Sequence, residues 1–109
     1  MIVEQRTYTL APGLLPAFLA AYERYGLPVH REVYQRLVGY YTSESGVLNQ
    51  VVHLWAFDDH ADRAARRARL QRDPRWSDYL EKVRGMVTQQ ESRLLAPTPW
   101  CPPPSTLPI

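Results

Sequence analysis

The order in which hydrophobic periodicities follow one another is the feature that most constrains the fold of this 109-residue chain. Stretches with every second residue on one face predict strands, and stretches with apolar residues three and four apart predict helices. The resulting order, β-α-β-β-α-β, is the ferredoxin-like pattern of the α+β class, a four-stranded antiparallel sheet with its helices on one face. The predicted strands cover residues 2–10, 37–44, 49–57 and 87–96, and the predicted helices cover 15–22 with a continuation over 29–35, 60–72, and a piece after Pro74.

The second face of this sheet would be uncovered in a monomer. A chain of this length buries only about two thirds of its unfolded surface, too little to enclose a deep site alone. We therefore expect a homodimer in which two copies pack sheet to sheet. Five of the ten prolines lie beyond residue 98, so residues 1–98 are predicted to form the domain and residues 99–109 a proline-rich tail.

Composition and charge exclude several classes of function. The formal net charge is only +2 and the acidic residues are interspersed, which argues against a nucleic-acid partner. There is no apolar run of the roughly 18 residues that a membrane span needs, and no apolar signal segment, so we expect a cytoplasmic protein without a membrane partner. Cys101 is the only cysteine, which excludes an internal disulfide and a cysteine-based zinc site.

Arginines on the second predicted helix have a simpler explanation than nucleic-acid binding. Arg63 and Arg66 follow Asp59 and Asp62 by four residues, the spacing and order that favour ion pairs along a helix. We therefore interpret these two arginines, together with Arg67, as a solvated and paired helix face.

Polar and aromatic side chains concentrate on one face of two predicted strands. Glu4, Arg6 and Tyr8 alternate along the first strand, and His53 and Trp55 along the third. Burying such a cluster costs stability unless every group is paired. Two interpretations stay open: a ligand pocket, or a fully paired network of Glu4, Arg6, Tyr8 and His53 that only stabilises the fold.

In the pocket interpretation, Arg6, Tyr8 and His53 are the candidate catalytic residues. The phase of the second strand is open, since it presents either Gly39 and Tyr41 or Tyr40, Thr42 and Glu44. The remaining candidates for ligand binding are Glu4, Tyr41, Glu44, Asn49, Trp55 and Phe57.

His53 is the only histidine inside a predicted strand and is the candidate general base. Its pKa would have to lie near the working pH, with Glu4 or Glu44 orienting the ring. The competing interpretation is a structural histidine. His30, His53 and His60 lack the spacing of metal ligands, and the isolated glycines form no phosphate-binding loop, so we expect neither a metal nor a cofactor.

Several stretches together resemble the NIPSNAP family. They are Glu4–Leu10 with Pro12 and Gly13, Leu37–Glu44, Leu48–Asp58 followed by Arg63 and Arg66–Ala68, Asp73–Trp76, and Glu91–Pro97. The resemblance spans residues 1–98 and implies the dimeric α/β-barrel form of the ferredoxin-like fold. It implies no particular reaction. Phe57 stands where members of the family usually have tyrosine.

The function expected from the residues and this resemblance is binding of a small apolar, aromatic or polyketide-like compound between sheet and helices. Cofactor-independent catalysis of proton transfer, isomerisation, cyclisation or oxygenation would make the chain a biosynthetic enzyme. The alternative is a non-catalytic structural or interaction protein whose polar cluster stabilises the dimer. The likeness of fold to small-molecule enzymes is a weak argument by itself.

Overall fold

A computed structural model describes residues 1–103 and confirms the ferredoxin-like order of elements. The four strands form one antiparallel sheet in the order β2-β3-β1-β4. The elements are β1 (Ile2–Leu10), α1 (Leu15–Ala21), a π-helical turn (Tyr22–Gly26), α2 (Leu27–Tyr34), β2 (Leu37–Thr42), β3 (Gln50–Phe57), α3 (His60–Arg72), α4 (Pro74–Lys82) and β4 (Val87–Leu95).

The register of the two central strands places the candidate residues side by side. Arg6 on β1 lies opposite His53 on β3, and on its other side it lies opposite Ser92 of β4. Because partners across an antiparallel sheet share a face, the alternating side chains of β1, β3 and β4 converge under the helices.

The core lies between this sheet face and the helices. Alternation along β3 buries Val51, His53, Trp55 and Phe57 completely or nearly so. Apolar residues of the helices pack against them, and burying each large side chain contributes about 1.5–3 kcal/mol. These helix residues are Phe18, Tyr22, Val29, Val33, Tyr34, Leu70 and Tyr79.

The predicted break between residues 22 and 29 is absent, and the helix continues through it. The Leu27 N–H bonds to the Tyr22 carbonyl, which makes one wide π-helical turn between α1 and α2. Pro28 then falls in the first turn of α2, where a missing N–H is tolerated. A side chain at Gly26 would approach the rings of Tyr22 and Tyr79 to 2.7 and 3.0 Å, so this close packing needs glycine.

Caps fix the ends of α3 and α4. The Asp59 side chain accepts the N–H of Asp62 at 2.7 Å at the start of α3. Asp73 ends α3 and caps α4, accepting the N–H of Arg75 at 2.9 Å. Within the described residues, no helix is long and apolar enough to cross a membrane.

The second sheet face is partly exposed, because none of the helices within residues 1–103 covers it. It carries Val3, Gln5 and Thr7 of β1 and Val52 and Leu54 of β3, none of them fully buried. The predicted homodimer would cover this face and stays a prediction. Residues 96–103 form no helix or strand, and residues 104–109 of the predicted tail lie outside the described residues.

Candidate functional site

An inner chamber of about 110 Å³ lies between the sheet and the helices. It is lined mainly by aromatic rings, with His53 in its floor and His30 in its roof. A pocket of this composition favours planar apolar molecules. Its lining includes Tyr8, Phe18, Tyr22, His30, Tyr40, His53, Trp76 and Tyr79.

The hydrogen bonding of His53 fixes what its ring can do. The Trp55 indole Nε1–H donates to His53 Nδ1 at 2.8 Å, so Nδ1 is the acceptor and the proton of the neutral ring lies on Nε2. This Nε2 is buried and has no hydrogen-bond partner among the described residues. His53, which lines the chamber, therefore has one unused N–H donor.

The surroundings of His53 keep the ring neutral. Burial, with the Arg6 charge acting in the same direction and the Glu4 charge opposing it, lowers the pKa of His53 to about 3. The ring stacks on Tyr40 with centroids 4.8 Å apart and meets the Tyr8 ring edge-on at 5.0 Å. A neutral ring whose one acceptor nitrogen is occupied favours a role as donor over the predicted role as general base.

His30 is a site residue that sequence reasoning missed. It is buried, its Nδ1 is hydrogen-bonded to the Tyr22 hydroxyl at 2.9 Å, and its ring lies 4.1 Å from that of Trp55. Burial lowers its pKa well below the usual value, and the nearby His53 and Arg6 act in the same direction. Its position on a helix face with Val29 and Val33 was the available signal.

Glu4 is the centre of a fully paired network. Its carboxylate accepts hydrogen bonds from Arg63 at 3.2 and 3.0 Å, from Arg6 at 3.2 Å and from the Ser92 hydroxyl at 2.6 Å. Burial alone would raise the pKa of Glu4, but bonds from Arg63 and Ser92 and the two positive charges lower it to about 2. This half of the polar cluster is a structural network, joining β1, β4 and α3.

The arginines of α3 are only partly paired as expected. Arg66 donates to Asp62 at 2.8 Å, which confirms one of the predicted pairs. The predicted partner of Arg63 was Asp59, but Asp59 caps α3 and Arg63 instead bonds to Glu4. Leaving a buried carboxylate such as Glu4 without a positive partner costs more free energy than leaving the solvated Asp59 without one. This accounts for the partner that Arg63 takes.

An outer vestibule of about 250 Å³ adjoins the inner chamber. The two cavities share Tyr8, His30, Trp76, Leu80 and Gln90 among their lining residues. Polar side chains that line the vestibule and not the chamber are Arg6, Arg67 and Gln71. Arg6 is held there by bonds to the Tyr8 hydroxyl at 3.0 Å and to Gln90 Oε1 at 3.2 Å.

The structure places Tyr40, not Tyr41, beside His53. A register shift between Leu37 and Gly39 turns both Leu37 and Tyr40 inward, and Tyr41 lies on the other side with 58% of its surface exposed. The expected contribution of Tyr41 to the pocket lining is therefore wrong, and Tyr40 takes that place.

Four other predicted ligand-binding residues lie outside the cavity lining. Glu44 is exposed in the β2–β3 loop, and Asn49 lies before β3 with its carbonyl accepting the Leu10 N–H at 2.8 Å. Phe57 is buried against Tyr34, and Trp55 lies behind the cavity as the hydrogen-bond partner of His53. Of these four residues, only Trp55 affects the chamber, through its hydrogen bond to His53.

Metal binding finds no support in the described part of the chain. Among residues 1–103, no three His, Cys, Asp or Glu side chains are grouped so that they could hold a metal ion. Buried His30 and His53 have ring centroids 6.0 Å apart, but both are engaged with aromatic neighbours.

The fold also occurs in proteins of dissimilar sequence. An antibiotic biosynthesis monooxygenase of known structure has a TM-score of 0.64 with 12% identity, covering 91% of this chain and 100% of its own, which shows the fold alone. The NIPSNAP family model matches residues 3–102, and the chain belongs to the NIPSNAP family.

Similar proteins of this family occur in bacteria and animals. A NIPSNAP-like domain protein from Burkholderia xenovorans is 39% identical with a TM-score of 0.92, covering 97% of this chain and 92% of its own. A protein from Agrobacterium tumefaciens is 42% identical with a TM-score of 0.91, covering 94% and 98%. Human protein NipSnap homolog 3A is 34% identical over 101 residues, which are 90% of this chain but 40% of the human protein.

Proposed function

We propose that this protein binds a small aromatic compound in the inner chamber, with the His53 Nε2–H donating to an oxygen of that compound. The unused, buried Nε2 of His53 is the observation that carries the proposal. An unsatisfied buried donor costs about 1–3 kcal/mol, which a bound acceptor would recover.

The chamber's lining supports an aromatic ligand. Tyr40 stacks on His53, and Tyr8 and Phe18 meet edge-on with centroids 6.4 Å apart, so planar faces and edges surround the space. Aromatic rings add about 0.5–1.5 kcal/mol per well-oriented pair beyond the burial of their area. An aromatic ring with one oxygen directed at His53 would pack against the apolar lining and accept a hydrogen bond from the unused Nε2–H.

The same geometry supports cofactor-independent proton-transfer chemistry on that compound. A neutral imidazole donating to a carbonyl oxygen polarises that carbonyl and makes a neighbouring C–H more acidic, as the neutral histidine of triosephosphate isomerase does. Here His53 would be the oxyanion-stabilising donor, and the Tyr8 hydroxyl, which accepts from Arg6, would offer its own proton nearby. The likeness of fold to antibiotic biosynthesis monooxygenases supports small-molecule chemistry in this space.

A non-catalytic, structural function is the second candidate, and the Glu4 network favours it. All the polar atoms of Glu4 are paired within the protein, so this group has no need of a ligand. The two interpretations of the polar cluster thus apply to different residues. Glu4 and Arg63 support the structural function, and His53 supports the binding function.

Acetophenone and ethylbenzene, which differ in a carbonyl oxygen, are the probes that test the binding proposal. Ligand-observed NMR titration should show acetophenone binding more tightly to the wild-type protein, by about fivefold to tenfold for one hydrogen bond. His53→Phe should abolish this preference while retaining the fold. His60→Phe is the control, because His60 is exposed on α3. An unchanged preference in His53→Phe would overturn the proposal.

A further inference from the structure

We infer that the ligand of the inner chamber is an aromatic carboxylic acid whose carboxylate is bound by Arg67 in the outer vestibule. The inference rests on the proposed function and specifies its substrate class. It is carried by the distribution of charge around the vestibule and by the adjoining positions of the two cavities.

Arg67 differs from its neighbours on α3. Arg63 is paired with Glu4, and Arg66 with Asp62 and with the Val33 carbonyl at 2.8 Å. Arg67 is partly buried, lines the vestibule, and has no ion pair or hydrogen bond within residues 1–103. A partly desolvated guanidinium without a partner is a binding site for a carboxylate, which it can engage through two parallel bonds.

The charges near the vestibule do not balance. None of the described residues that line it is acidic. Glu4 is the one carboxylate bonded in the adjoining network, and it faces the positive charges of both Arg6 and Arg63. With Arg67 counted as well, positive charges outnumber negative charges around the vestibule. One of these charges, that of Arg6, also lowers the pKa of His30 and His53. An anion in the vestibule would relieve this imbalance.

Neutral donors surround the same space. Gln90 Oε1 accepts from Arg6, which leaves the amide nitrogen of Gln90 as a donor. Gln71 lies one turn after Arg67 on α3 and lines the vestibule as well. Donors from α3 and β4 thus approach the vestibule from two sides, an arrangement suited to an anion with more than one oxygen.

The adjoining positions of the two cavities set the shape of the ligand. Tyr8, Trp76 and Gln90 line both spaces, and the inferred ligand extends past them from the chamber into the vestibule. Its ring would occupy the aromatic chamber with an oxygen at His53. Its carboxylate would lie on the far side of Trp76, beside Arg67. Such a molecule has a single ring, a short linker and an acid group.

The test compares 4-hydroxyphenylacetate with its neutral amide, 4-hydroxyphenylacetamide, by ligand-observed NMR titration. The wild-type protein should bind the acid about tenfold more tightly than the amide. Arg67→Gln should lose this tenfold preference for the acid and keep the wild-type affinity for the amide. Arg69→Gln is the matched control, since Arg69 is exposed on the same helix and its loss changes the net charge equally.

The outcomes separate this inference from the proposed function. Equal binding of acid and amide, unchanged in Arg67→Gln, overturns the inference and leaves aromatic binding in the chamber intact. An equal loss of acid binding in Arg67→Gln and Arg69→Gln also overturns it, because general charge would then explain the effect. Failure of acid, amide and acetophenone to bind at about 10 mM, where ligands of this size should register, contradicts both.

Discussion

At the scale of single residues, the Trp55 indole determines the chemistry of His53. The two side chains lie two positions apart on one strand, so they share a face and their rings come within hydrogen-bond distance. The indole can only donate, which forces the proton of the neutral imidazole onto Nε2. A histidine next to a carboxylate would instead be held ready to accept a proton on its far nitrogen.

The pH dependence of stability should reveal the two buried histidines. The pKa of His53 in the folded protein is about 3 and that of His30 is also well below 6.5, so the unfolded chain binds more protons below pH 6.5. The free energy of unfolding should therefore fall as the pH decreases from 6.5, with a slope approaching about 2.7 kcal/mol per pH unit for two protons. Urea denaturation at a series of pH values measures it.

Glu4 adds to the same trend only at lower pH. Its folded pKa of about 2 lies below its usual 4.5, so its contribution is complete above pH 4.5 and is lost as the pH falls towards 2. Between pH 6.5 and 4.5, the change in the free energy of unfolding therefore comes from the two histidines. His53→Phe should reduce the slope there by about half. A flat profile in this window would contradict neutral, buried histidines.

At the scale of elements, the Glu4 network holds α3 against strands β1 and β4 of the sheet. Arg63 reaches from α3 to a carboxylate of β1 that also binds Ser92 of β4. Glu4 is buried, with 1% of its surface exposed, so the network is protected from solvent screening. The attachment of the helix therefore depends on one carboxylate.

Glu4→Gln should show this dependence. The neutral amide leaves the positive charges of Arg6 and Arg63 without a counterion, and we expect a loss of about 3–5 kcal/mol in the free energy of unfolding. Chemical denaturation measures the loss, with Glu44→Gln in the exposed β2–β3 loop as the control. A loss below about 1 kcal/mol would mean that the network is not structural.

The predictability of the elements and of the site differs for physical reasons. Binary patterning was enough for all four strands and for α3, which begins and ends where its caps predict. The irregularity in β2 was not predictable, because one extra residue reverses which side chains face inward and leaves composition unchanged. Tyr40 and Tyr41 exchanged places for that reason.

Long-range contacts account for the rest of the site. His53, Arg6 and Tyr8 could be proposed from alternation alone, since period two puts them on the covered face. The partners that define their roles come from elsewhere in the chain, such as Arg63 for Glu4 and the roof residue His30. Local patterns carry no information about which side chain on a helix reaches a given strand residue.

At the scale of the whole molecule, the uncovered sheet face governs association. The cavity lies on the helix-covered side, so its lining comes from one chain and a partner would pack on the opposite side. Binding and dimerisation are therefore expected to be separable. The chain spans about 40% of the length of the NipSnap homologs 3A and 3B that it matches.

We expect a homodimer in solution and a monomer on substitution of Leu54→Arg. Leu54 is partly buried on the uncovered face of β3, where a charge would oppose sheet-to-sheet packing. Sedimentation velocity at micromolar concentration distinguishes the two states. His60→Arg adds the same charge on the helix side and should stay dimeric. A wild-type monomer would contradict the prediction.

The π-helical turn at residues 22–26 has a consequence for the history of the chain. Such a turn contains one residue more than an α-helical turn, and each α-helical residue rotates the chain by about 100°. An inserted residue absorbed in this way leaves the helix beyond it facing the same direction. A relative with one residue fewer here could keep His30 over the cavity without any other change. An extra residue later in α2 would rotate His30 away, so the two ends of this helix tolerate insertion and deletion very differently.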